Sequence, residues 1–119
     1  MDLIDTMASS QYQRTTKQSN SEDLVDRFLD AIWTERGLSA NTLGAYRADL
    51  MTLWRGLSAQ DIRIENAEKS DLLAFIARRV ESGAKPRSTA RQLSSFRRFF
   101  RYIMREGLRD TDPTADIEM

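Results

Sequence analysis

The segment of residues 86–106 constrains the fold more than any other part of the chain. At 100° per residue, its apolar side chains gather on one side of a helix and its arginines on the other. The apolar side carries Leu93, Phe96, Phe99, Phe100, Ile103 and Met104. The opposite side carries Arg87, Arg91, Ser94, Arg98, Arg101 and Arg105. Such a segment must bury its apolar side against other elements, so it predicts a long amphipathic helix that ends before Gly107.

Apolar spacing of three and four residues predicts three earlier helices. The first is expected to begin at a Ser21 cap and to end before Gly37. The second covers residues 40–57 behind a Ser39 cap, and the third begins behind a Ser70 cap. No segment alternates between apolar and polar residues for long enough to form a strand. The predicted fold is therefore all-α, a four-helix bundle with short connections.

Two polar segments lie outside these helices. Residues 1–20 are rich in Ser, Thr and Gln and show no sustained apolar period, which predicts a flexible N-terminal tail before one domain at 21–119. No helix is predicted in the connection 58–69, where Ile62 and Ile64 are expected to turn inward.

Composition excludes several classes of function. The chain has no cysteine and no histidine, so disulfides, thiolate metal sites and the commonest general base are ruled out, and no metal or cofactor is expected. No apolar run is long enough to cross a membrane and no secretory signal is visible, which predicts a cytoplasmic protein. The acidic residues are expected at surface or capping positions, and none is predicted to be catalytic; they include Asp26, Asp30, Glu35, Asp49 and Asp71.

Charge is strongly segregated although the net charge is zero. Residues 78–109 contain ten basic and two acidic residues, while the flanking segments are acidic. The arginine row has two interpretations, a solvated face or a surface for an anionic partner. A solvated helix face usually places Glu four residues from a basic residue, and this row lacks such acids. The pattern therefore favours an anionic partner such as duplex DNA, whose phosphates suit arginines spaced one helical turn apart.

The second helix has an outer side of small or polar residues: Asn41, Gly44, Ala45, Ala48 and Thr52. Small side chains permit either a close approach to DNA or close packing against another helix, and both interpretations stay open. The aromatic residues Tyr46, Trp33 and Trp54 are expected in the core. Tyr102 is expected to be either a packed ring or a phosphate contact.

Three blocks of sequence carry a family resemblance. Leu38–Leu50 contains S-x-N-T-x-x-x-Y-x-x-D-L, Ser88–Tyr102 contains R-x-L-S-x-x-R-R-x-F-x-Y, and Asp112–Ala115 is D-P-T-A. In this order and spacing they resemble the N-terminal core-binding domain of tyrosine recombinases (phage integrases), in their XerD-like branch. The resemblance implies a SAM-like orthogonal bundle, with a short extra helix as an option.

The resemblance also implies where the domain would contact DNA. In this family the domain closes over one side of a recombination half-site, with its second and fourth helices at the major groove. The contacts expected from the matching positions, with Lys85 added at the entrance to the fourth helix, are Asn41, Thr42, Arg47, Lys85, Arg87, Ser88, Arg91 and Arg98.

The family's catalytic residues are a further expectation. They are an Arg, a Lys, a His-x-x-Arg pair and a nucleophilic Tyr in a C-terminal domain, so this chain is expected to be non-catalytic as given. The implied partners are duplex DNA with a dif-like site and a XerC-like subunit in a heterotetramer that resolves chromosome dimers, with the first helix as the candidate contact to a neighbouring subunit. The alternatives are a helical protein-interaction module and a stand-alone DNA-binding regulator.

Overall fold

The computed structural model describes residues 21–118, and all regular structure within that range is helical. The elements in chain order are α1 (21–36), α2 (Ala40–Ser58), a 3-10 turn (Ile64–Asn66), α3 (Lys69–Glu81) and α4 (Pro86–Arg105). This confirms the predicted all-α, four-helix fold. The tail predicted at 1–20 lies outside the described residues. No helix in the described range is long and apolar enough to span a bilayer.

Most predicted helix ends are confirmed by their local chemistry. The Ser39 hydroxyl accepts a hydrogen bond from the Thr42 backbone N–H at 3.2 Å, which satisfies one of the free donors at the start of α2. Pro86 occupies the first turn of α4, where its missing N–H costs nothing. Gly37 and Gly107, with φ of 62° and 76°, adopt the left-handed conformation that ends a helix.

Three local predictions are wrong. Ser21 already lies inside α1 and is buried, so it is not the cap. Ser70 lies inside α3, because the cap is Glu68, whose N–H donates to the Asp71 carboxylate at 2.8 Å. A carboxylate three residues into a helix can bond the cap backbone, and this interaction starts α3 earlier than a serine cap would. The connection predicted to be helix-free contains the 3-10 turn, which buries Ile64 completely.

The apolar side of α4 forms the centre of the bundle. Phe96, Phe99 and Phe100 are fully buried. The Phe99 ring meets the Phe28 ring of α1 edge-on, with centroids 5.6 Å apart, and the Phe96 ring meets Phe75 of α3 at 5.7 Å. Edge-to-face pairs of this kind stabilise a core beyond their buried area. The core prediction for α4 is therefore confirmed, and α4 contacts both α1 and α3 through it.

Trp33, which the sequence predicts in the core, is exposed, and so is the apolar residue Val80. Trp33 is 60% exposed, at the edge of the buried stripe of α1. Val80 is 55% exposed near the end of α3. Tyr46 and Trp54 are partly buried against the core.

Two arginines of the basic segment hold the fold together. The Arg109 guanidinium donates to the carbonyl oxygens of Glu65 and Ala67 at 3.1 and 2.7 Å, and lies over the Phe100 ring. Arg97 donates to the carbonyl oxygen of Ile117. These two charges serve packing, so the basic excess read from sequence overstates the charge that is available to a partner.

We expect Arg109→Ala to lower the free energy of unfolding by about 1.5 to 3 kcal/mol, because it removes a charged donor from two carbonyl groups. Urea denaturation followed by circular dichroism measures the loss. Arg87→Ala is the matched control, since Arg87 is exposed and should change stability by less than about 0.5 kcal/mol. Equal stabilities of the two variants would contradict a structural role for the Arg109 hydrogen bonds to Glu65 and Ala67.

Candidate nucleic-acid interface

A buried carboxylate joins α2 to α4. Asp49 is 1% exposed, and its Oδ1 and Oδ2 accept hydrogen bonds from Arg91 Nη2 at 2.7 Å and Arg91 Nε at 3.3 Å. The Ser95 hydroxyl donates to Oδ2 at 2.7 Å. A buried charge is tolerated when it is paired and hydrogen-bonded, and these three bonds meet that condition. The prediction that Asp49 lies at an ordinary surface or capping position is wrong.

Arg91 is anchored at one edge and open at the other. Its side chain is 55% exposed although Nε and one hydrogen of Nη2 are bonded to Asp49. Within residues 21–118, Nη1 makes no hydrogen bond. The guanidinium therefore keeps unused donors on the solvent side while its position is set by a buried group.

Arg98 lies about two helical turns after Arg91 on the same side of α4 and also contacts α2. Its guanidinium carbon is 5.8 Å from the centroid of the Tyr46 ring, within the range of a cation–π interaction. Tyr46 in turn packs against Phe28 at 6.5 Å. The structure thus places the two predicted site residues Arg91 and Arg98 along the seam between α2 and α4.

Several cations of this surface have no acidic partner. Lys85, Arg87 and Arg101 are exposed, and in the described part of the chain no carboxylate lies within ion-pair distance of them or of Arg98. Lys85 caps α4 and Arg87 lies in its first turn, where no acid is present. The helix dipole makes cations unfavourable at this end, so an anion placed there would be stabilised. Ser88, also in the first turn, is half-buried.

Arg105 at the far end of α4 does have an acidic partner. Its Nη1 is 3.0 Å from the carboxylate of Glu35 in α1. The hydrogen bond from Arg105 lowers the pKa of Glu35, and the same bond raises the pKa of Arg105. The sequence argument from missing acids therefore fails for Arg105, as it does for Arg91, because the acid comes from another helix. It holds for Arg87, Arg98 and Arg101, since no carboxylate of residues 21–118 lies within ion-pair distance of them.

Tyr102 is packed beneath the arginine row. It is 8% exposed, its ring centroid is 5.6 Å from that of Phe28, and the Arg105 guanidinium lies over its other side at 5.3 Å. Of the two roles left open by the sequence, the structure supports the packed ring.

An open groove of about 310 Å³ extends the basic surface toward α1. The arginines that line it are Arg36, Arg98, Arg101 and Arg105, with Glu35 as the one acidic residue of the lining. The basic surface thus extends from Arg98 of α4 to Arg36 at the end of α1.

Arg47 lies apart from the α4 residues. It donates a hydrogen bond to Asp26 of α1, and this bond raises the pKa of Arg47. Arg47 is therefore on the flank of α2 that faces α1, whereas Asp49 is on the flank that faces α4. Among the described residues, the Arg47 guanidinium pairs with Asp26, and no hydrogen bond joins Arg47 to another predicted site residue.

The outer side of α2 is open. Asn41, Gly44 and Ala48 are exposed, and a Cβ added at Gly44 would meet no atom within 4 Å. Among the described residues no helix packs on Gly44, so of the two interpretations of these small residues close packing is not the one observed. Thr42 is half-buried, with its hydroxyl 3.0 Å from that of Ser39. This open side adjoins the flank that meets α4.

A family model and individual relatives both match this chain, and they agree with each other. Residues 25–107 match the sequence model described as "Phage integrase, N-terminal SAM-like domain". The protein named tyrosine recombinase XerD of Proteus mirabilis is 44% identical over 113 residues, which cover 95% of this chain and 36% of that relative. XerD of Pseudomonas aeruginosa is 46% identical over 96 residues, covering 81% and 32%, and XerD of Yersinia pestis is 48% identical over 92 residues, covering 77% and 31%.

The matches cover most of this chain but only part of each relative. The chain spans about a third of the length of the curated relatives it matches. No solved structure matches the chain. The family match covers well over half of the 119 residues and includes all of α2, α3 and α4. The chain therefore belongs to the phage integrase N-terminal SAM-like domain family.

Proposed function

We propose that residues 21–119 form a non-catalytic domain that binds duplex DNA within a XerD-like tyrosine recombinase. The observation that carries the proposal is a group of cations at the start and on the outer side of α4, Lys85, Arg87, Arg98 and Arg101, for which the described residues supply no acidic partner. Arg98 contacts Tyr46 of α2, whose outer side is open. Family membership and the printed names of the relatives support the same function.

The arrangement suits two kinds of DNA contact. Lys85 and Arg87, at the positive end of α4, would bind backbone phosphates and release their counterions. The small residues of α2 would let its backbone approach the major groove, where Asn41 can exchange hydrogen bonds with a base edge. Thr42 and Ser88, each half-buried near a helix start, would add hydroxyl contacts to phosphate.

The proposal assigns strand cleavage to a part of the protein outside this chain. The chain has no histidine for a His-x-x-Arg pair. Tyr46 and Tyr102 are packed against Phe28, so neither ring is placed as a nucleophile. Because the relatives are bacterial recombinases, the proposal extends to a cytoplasmic location, a dif-like site and a XerC-like partner subunit.

A protein-interaction surface is the second candidate. It is favoured by Trp33, which is 60% exposed on α1, the helix expected to contact a neighbouring subunit. A large exposed aromatic side chain is typical of protein contacts and would contribute little to phosphate binding.

A salt titration of duplex binding tests the proposed function. With four phosphates neutralised, the logarithm of the association constant should fall against that of the salt concentration with a slope of about −3.6. Affinity should then drop on the order of 10²-fold between about 50 and 200 mM salt. Fluorescence anisotropy with a labelled duplex measures both values.

Polyglutamate of matched length is the control ligand. Absence of duplex binding at about 50 mM salt would reject the DNA function. Equal affinity for polyglutamate would favour the protein-interaction module, and tight binding of one specific site by the chain alone would favour a stand-alone regulator.

A further inference from the structure

The arginines of the basic surface are of two kinds, those paired with a carboxylate and those without one among the described residues. Arg91 is paired with a buried carboxylate, while Arg87 and Arg101 are exposed and have no acid nearby in the described range. We propose that Asp49 is a positioning residue that holds Arg91 as a fixed hydrogen-bond donor for a guanine in the major groove. The inference rests on the proposed DNA function and adds to it the residue that sets sequence preference.

The first support is the set of donors that remains on Arg91. A guanidinium has five N–H groups in one plane, and Asp49 uses Nε–H and one Nη2–H. The other edge, formed by Nη1 and Nη2, keeps two parallel donors on a side chain that is 55% exposed. Two parallel donors match the O6 and N7 acceptors of guanine, a pair that no other base presents in the major groove.

The second support is rigidity. Asp49 is held by the Ser95 hydroxyl, which is fully buried and 2.7 Å from Oδ2. Arg91 therefore has its rotamer set before any ligand arrives, so little side-chain entropy is lost when it binds. A free arginine such as Arg87 must be ordered on binding, which suits a phosphate contact with loose geometry better than a bidentate contact with one base.

The third support is charge. The Asp49–Arg91 pair is neutral as a unit, so it contributes little to the release of counterions from DNA. What the pair retains is directional hydrogen bonding. Lys85, Arg87, Arg98 and Arg101, which have no acidic partner in the described range, would then neutralise phosphates, while Arg91 would recognise the base.

Because the Asp49–Arg91 pair is neutral, removing the Asp49 charge should change non-specific affinity and base preference in opposite directions. Asp49→Asn breaks the two-bond fork and raises the net charge by one, so binding to unrelated duplex should strengthen and its salt slope should steepen. Preference for guanine at one position should fall at the same time. A residue with only a structural role would weaken binding to all sequences together, and the opposite signs separate the two roles.

The experiment is selection from a duplex library with a randomised central segment, using the full 119-residue chain. We expect the wild type to enrich guanine at one position, and Asp49→Asn and Arg91→Lys to lose about tenfold of that preference. Ser95→Ala keeps the Asp49–Arg91 fork and should lose less. Arg101→Gln is the matched control: it should lower affinity for every sequence and make the salt slope shallower, with the guanine preference kept.

Thermal melting of each variant precedes the selection, and if Asp49→Asn does not fold, Ser95→Ala and Arg91→Lys decide the question. A wild type that binds duplex without preferring guanine overturns the inference. So does an unchanged preference in Arg91→Lys. A wild type that binds no duplex rejects the proposed function itself, which is a distinguishable result.

Discussion

Replacing Arg87, Arg98 and Arg101 together by glutamine should weaken duplex binding on the order of 10³-fold at about 50 mM salt. The salt slope should become shallower by about 2.7, because three phosphate contacts are lost. These side chains have no carboxylate within ion-pair distance in residues 21–118, so their charge is available to DNA. Anisotropy titrations at several salt concentrations measure the slope.

A second triple variant separates local charge from net charge. Arg27, Lys69 and Arg78 are exposed basic residues of α1 and α3, and their replacement by glutamine changes the net charge by the same three units. An equal loss of binding in this control would contradict the assigned surface. Both proteins should stay folded, since the largest structural contact removed is the cation–π contact of Arg98 with Tyr46, worth about 0.5 to 1 kcal/mol.

Phe99→Ala should lower the free energy of unfolding by about 3 to 5 kcal/mol. Phe99 is fully buried, and its ring lies 5.6 Å from that of Phe28 and 5.3 Å from that of Phe100. Truncation removes both edge-to-face contacts and leaves a cavity at the junction of α1 and α4. Small domains are stable by about 5 to 15 kcal/mol, so the loss should be a large fraction of the total.

Urea denaturation followed by circular dichroism measures the Phe99→Ala effect. Leu73→Ala is the matched control on α3, because Leu73 is 43% exposed and its truncation should change stability by less than about 0.5 kcal/mol. A loss below about 1 kcal/mol for Phe99→Ala would show that α4 is not the centre of the core.

Features that depend on neighbouring residues were predictable from sequence. The buried sides of α1 and α4 follow from the helical repeat, and the ends at Ser39, Gly37 and Gly107 follow from capping chemistry within one turn. The wrong prediction of a helix start at Ser70 shows that capping chemistry alone can miss a helix start by one or two residues. Two residues in the same turn, Ser70 and Glu68, could each serve as cap, and the Asp71 carboxylate favoured Glu68.

Motif blocks and the arginine row supply a list of candidate site residues, but the sequence did not predict the individual environment of each side chain. Arg47 matched a motif position, yet it pairs with Asp26 on the α1 side of α2. Arg97 and Arg109 looked equivalent to the other arginines, yet they bind carbonyl groups 20 to 44 residues away in sequence. A partner this far away in sequence cannot be predicted from the spacing of residues within one helix.

The sequence by itself determined that the chain is helical, which sides of α1 and α4 are buried, and that positive charge concentrates in residues 78–109. These properties follow from spacing within a few turns of one helix. Only the tertiary structure decided how the arginines of α4 divide into structural, paired and available groups. The division depends on helix packing, which places Asp49, 42 residues before Arg91, within 2.7 Å of it, and leaves no acid near Arg87 among the residues described.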